Sequence, residues 1–146
     1  MQSGLCQGTC MVLDDKALPL TRIWCIFELL QTITLERNEE DFQGLLLCTS
    51  SGVLNTGGGS VEVAMALAKK VAEMDLATAE ATRASDEQMI REYVVQEMGS
   101  FAALTRFVCR EVRDMLVRAQ RNSNEQFAAV LAHLEEDIAD AGHMSL

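Results

Sequence analysis

Apolar and polar positions follow two rhythms along this chain. Thr9 to Leu13 is a short apolar run that breaks at Asp14-Asp15, the pattern of a strand ending in a loop. From Leu20 to Leu35 the rhythm changes. Apolar residues fall at Leu20, Ile23, Trp24, Phe27, Leu30 and Ile33, which predicts a helix begun at Pro19. Trp24, Phe27 and Leu30 share a face of that helix and are expected to be core. After a polar break at Arg37 to Asp41, Gly44 to Thr49 is a continuous apolar run, the signature of a strand covered on both faces. Strand, helix and strand in this order predict one parallel βαβ unit.

Downstream the rhythm is helical. Ser50 to Ser60 is a loop rich in Ser and Gly. Ser60 is placed to cap a helix over Val61 to Glu73, and Asp75 to cap a shorter piece over Leu76 to Thr82. Ser85 with Gln88 has the spacing of a capping box for Asp86 to Met98, closed by Gly99. Ser100 opens another helix with Phe101, Leu104, Phe107, Val108, Val112, Met115 and Leu116 on one side. Asn122 to Asn124 is expected to break it. A last amphipathic helix then runs from Glu125 to Ala141, with Phe127, Val130, Leu131, Leu134 and Ile138 on one face.

The prediction is a helix-rich α/β chain: a partial α/β unit over 1–60 and a helical extension over 61–146 packing on it. Two strands make a poor sheet, because a fully apolar strand wants a neighbour on each edge. The chain is therefore expected to be part of an α/β domain whose first strands are absent or come from another chain. Self-association is expected for the same reason.

Composition narrows the function. A chain of 146 residues, 49% hydrophobic and 23% charged, is a single globular domain's worth. Its net charge of −10, without a dense Lys/Arg cluster, argues against nucleic acid as a partner. Of five cysteines, Cys25, Cys48 and Cys109 sit in apolar runs and are expected to be buried free thiols, which suits a reducing, cytoplasmic setting. Cys6 and Cys10 have no His or second Cys pair at ligand spacing, so no metal site is expected. Neither a signal peptide nor a membrane span is expected.

Candidate chemistry centres on Glu28, a carboxylate flanked by Trp24, Phe27, Leu29 and Leu30. A second candidate is the Gly-rich loop. Gly52 and Gly57 have the spacing of the two glycines of a phosphate-binding loop, but Gly58 stands where the lysine would be, so a flexible loop is the expectation. His133 and His143 have no partner at triad or ligand spacing.

The run from Met11 to Leu30, with Arg22, Trp24, Cys25 and Glu28 in the order Arg-x-Trp-Cys-x-x-Glu, resembles the third strand and following helix of Toll/interleukin-1 receptor (TIR) domains. Residues 11 to 118 are also similar to a large group of TIR-like proteins of unicellular algae. The resemblance implies a partial flavodoxin-like unit. In enzymatic members the glutamate of this helix cleaves NAD, stabilising an oxocarbenium-like ribose as nicotinamide leaves. It thereby implies Glu28 as the catalytic residue, and NAD as substrate rather than cofactor. The elements that hold the nucleotide in that family would precede residue 1. The favoured expectation is thus an intracellular signalling or scaffold module that associates with other TIR-like chains or with itself. NAD cleavage through Glu28 is the alternative, inactive in this stretch alone.

Overall fold

The computed structural model describes residues 7–56 and 58–143. Cys6 and Gly57 therefore lie outside the described residues. Strand β1 (Thr9–Val12) runs parallel to β2 (Leu45–Thr49), with Thr9 opposite Leu45 and Val12 opposite Cys48. A two-residue strand β3 (Gly52–Val53) returns antiparallel on the far side of β2, giving the order β1-β2-β3. The result is a helix-rich α/β fold built on a small mixed sheet.

Helix α1 (Ile23–Asn38) connects the parallel strands but starts three residues later than its periodicity suggests. The residues before it are held in other shapes. Ala17 takes a left-handed conformation (φ 53), the Asp14 carboxylate accepts the Leu18 amide at 2.9 Å, and Leu18–Thr21 winds into a 3-10 turn. Arg22 is extended, and its neighbours Thr21 and Ile23 exchange backbone hydrogen bonds with Glu80 before α1 begins.

The expectation that Trp24 is core is overturned. The buried stripe of α1 is Ile23, Ile26, Leu29, Leu30 and Ile33, and Trp24 keeps 43% of its surface exposed. At 100° per residue, Trp24 is rotated off the Ile23 face to the rim of the stripe. Its ring meets Phe27 edge-on at 5.7 Å, and Phe27 in turn packs 5.6 Å from Tyr93.

Among the described residues the two faces of the sheet are unequally covered, which corrects the expectation for Gly44 to Thr49. Met11, Leu13, Leu45 and Leu47 point into the core, whereas Cys10 and Val12 are exposed and Leu46 and Cys48 half-buried. The strand period of two makes these two sets opposite faces. Cys25, Cys48 and Cys109 are free but half-buried rather than buried.

The helices α2 (Val61–Glu73), α3 (Ala84–Met98) and α4 (Phe101–His143) follow. Ser60 caps α2, its hydroxyl accepting the Val63 amide at 3.1 Å. Asp75 caps only a 3-10 turn, Leu76–Thr78, not a helix reaching Thr82. The Ser85 capping box does not form: α3 starts at Ala84 behind Arg83, and Ser85 already lies in its first turn. Gly99, at φ 81, ends α3 as expected.

The expected break at Asn122 to Asn124 is absent, and α4 is one helix of 43 residues. Asn and Ser cost a helix interior only a few tenths of a kcal/mol more than most residues, and no Pro or Gly stands there. Asn122 also finds an outside partner, donating to the Thr56 carbonyl at 3.4 Å. One continuous apolar cluster, from Met11 to Ala119, draws on both 1–60 and 61–146.

Candidate functional site: a sheet edge and an acidic cleft

The two edges of the sheet differ. Thr9 and Leu13 donate their amides to Gly44 and Cys48 of the β2 segment, at 3.0 and 2.8 Å. The alternating amides of Cys10 and Val12 therefore point away from β2. Among the described residues no strand lies on that side, and Val12 is 66% exposed. The opposite edge is closed. The Asn55 side chain accepts the Leu47 amide and donates to the Leu45 carbonyl at 3.1 Å, replacing the strand that would otherwise pair there. Arg118 of α4 holds the Asn55 backbone carbonyl at 3.2 Å, so this closure is tied to the helical part.

A cleft of about 620 Å³ opens at the carboxyl ends of β1 and β2. Val12, Leu13, Pro19, Val63, Ala66 and Leu67 make its apolar walls, and Asp14, Asp15, Thr49 and Ser50 its polar rim. Parallel sheets place ligands at this end of their strands. The lining includes no Lys or Arg, so the rim repels a pyrophosphate and suits neutral or cationic groups. By sequence pattern alone, Asp14 and Asp15 mark only the end of a strand. Their convergence with Thr49 and Ser50 depends on the parallel register, which no local pattern specifies.

Glu28 lies elsewhere. It is exposed on α1 and is absent from the lining of the cleft. Trp24 and Phe27 lie within one turn of it, and Gln31 follows, bonded through its amide to the Tyr93 hydroxyl at 3.0 Å. Cys25 is half-buried, and its thiol is pushed above its ordinary range by burial first and the Glu28 charge second, with Arg22 opposing. A thiol held protonated is a poor nucleophile. Trp24 and Glu28 are thus exposed on α1 with Arg22 at its start and Cys25 half-buried, and none of the four lines the cleft.

The Gly-rich loop serves its own packing. Gly52 has φ +129, and a Cβ there would come within 2.8 Å of the Gly58 carbonyl oxygen. A Cβ on Gly59 would run into the Leu54 side chain. These glycines are needed so that the loop can close on β3 and Leu54.

No protein-family model, curated protein or solved structure matches the chain. Among the described residues no helix is long and apolar enough to cross a membrane.

Proposed function

We propose that this chain is a TIR-like association module, an intracellular scaffold whose partial flavodoxin-like unit takes up another TIR-like chain, a second copy included, along β1. The observation that supports this reading is the asymmetry of the sheet. Asn55 closes one edge, while Cys10 and Val12 leave the other with outward amides and a less covered face. Exposed strand edges of this kind template pairing with a further strand. The α1 surface with Trp24 and Glu28 adds an exposed aromatic of the sort that anchors interfaces. NAD cleavage by Glu28 has less support, because Glu28 is outside the cleft and the rim of the cleft is acidic.

Amide exchange at Cys10 and Val12 tests the proposal. Both amides should exchange fast in dilute protein and slow as concentration rises. Val12→Pro removes one outward donor without touching the bonds to β2, so it should abolish the slowing, whereas Val12→Thr should keep it. Fast exchange at every concentration would defeat sheet-edge pairing between copies.

A further inference from the structure

We propose that α4 is a dimerisation helix, its distal half pairing antiparallel with α4 of a second copy. Every residue from Ser123 to His143 is exposed, although this stretch carries a strong apolar stripe. Phe127, Val130, Leu131, Leu134 and Ile138 are 45% to 72% exposed. Helices in proteins gain most of their stability by packing such an apolar face, so the stripe calls for a partner.

The spacing fits a helical partner. Val117, Asn124, Leu131 and Ile138 recur every seventh residue, and Gln120, Phe127 and Leu134 fall three after the first three of them. That is the a/d spacing of a coiled coil over about three heptads or some 33 Å, apolar at Val117, Phe127, Leu131, Leu134 and Ile138 and polar at Gln120 and Asn124. The buried residues of α4, from Leu104 to Ala119, occupy a different side, and Val117 is itself exposed. The seam is therefore open along its full length.

Charge selects the occupant and its direction. Along the seam, Arg118 and Arg121 lie at its proximal end and Glu135, Glu136, Asp137 and Asp140 at its distal end. Parallel pairing would stack the acidic ends. Antiparallel pairing with Phe127 against Leu131 lays the Arg118–Arg121 end of each seam along the other copy's Glu135–Asp140 end, with Arg121 beside Glu135 of the second copy. A membrane is a poor occupant, since an acidic polar face is repelled by anionic lipid. This proposal stands on α4 alone and does not depend on the TIR-like reading.

Sedimentation equilibrium of the full chain tests it. With the sheet edge blocked by Val12→Pro, the chain should still sediment as a dimer of 16.1 kDa protomers. Adding Leu131→Lys and Leu134→Lys to that variant should give monomers whose thermal midpoint, read on the core, is little changed, because neither side chain is buried. Arg121→Glu and Glu135→Arg should each weaken the dimer at least about fivefold, and together they should restore it. A monomer at every concentration, or no restoration by the double exchange, would overturn the pairing. So would association that survives the lysine pair but is lost in Val12→Pro, which assigns the contact to the sheet edge. A monomer that binds phosphatidylcholine vesicles through Leu131 and Leu134 would also overturn it.

Discussion

Cys10 and Cys48 bring their sulfurs to 3.1 Å across the parallel strands, on the less covered face of the sheet. The Cys10 contact, then burial, pushes the Cys48 thiol up to about 11. Cys48 should therefore be alkylated slowly by iodoacetamide at pH 8. Cys10→Ala removes the principal cause and should speed that reaction more than about tenfold, as read by peptide mass mapping. The linkage has a definite sign. A thiol raised in the folded state binds more protons than the unfolded chain between its ordinary 9.0 and about 11, so this contribution to stability is lost as pH rises through that window.

Trp24→Ala should cost about 1 kcal/mol, well below a core aromatic, because the ring is nearly half in water and meets Phe27 edge-on. Ile26→Ala, at a fully buried position of the same helix, should cost about 2–5 kcal/mol. Denaturant midpoints of the two variants make the comparison, and equal losses would put Trp24 back in the core.

Asn55→Leu should lower stability by about 2–4 kcal/mol. It removes two hydrogen bonds and leaves the Leu47 amide and Leu45 carbonyl unpaired at a half-buried edge. Faster exchange of the Leu47 amide would locate the damage, and an unchanged rate would show that the side chain is not its partner.

Arg91 ties the turn Leu76–Thr78 to α3. Its guanidinium donates to the carbonyls of Ala77 and Ala79 at 2.7 and 3.0 Å, pairs with Glu87 at 3.0 Å, and lies over the Phe101 ring. Lysine cannot reproduce a fork that reaches two carbonyls at once. Arg91→Lys should thus lose most of what Arg91→Ala loses, about 2 kcal/mol by thermal melting.

The chain alone should release no nicotinamide from NAD. Glycosidic cleavage needs the carboxylate beside the anomeric carbon and remote contacts that hold the dinucleotide, and Glu28 stands on an exposed helix face away from the cleft. Chromatography of NAD incubated with the protein measures this. Turnover that disappears in Glu28→Gln would replace the scaffold reading with the enzymatic one.

What the sequence discloses follows from which forces are local. The bounds of α2 are legible because Ser60 caps it and its apolar spacing runs unbroken to Glu73, and Gly99 marks the end of α3 by its positive φ. The strands β1 and β2 and their parallel order are legible from the change of period. The length of α4 is not, since Asn122 to Asn124 only weakly disfavours helix and its anchor, Thr56, is far away in the chain. The exposure of Trp24 depends on which neighbours reach its side of α1. A strand as short as β3 has no period to detect, and the role of Asn55 exists only once β2 lies beside it. The candidate site was hardest to read, because cleft and edge are made by register.

Asn55 also sets how far assembly through the sheet can go. A strand that joins β1 meets a sheet whose other side is already taken: Asn55 holds the Leu45 and Leu47 groups of β2, β3 pairs with the rest, and the Val53 carbonyl of β3 accepts the Gly58 amide. Each molecule can accept one addition there and cannot offer a second edge to the next, so sheet pairing between copies closes at two and does not propagate into a fibre.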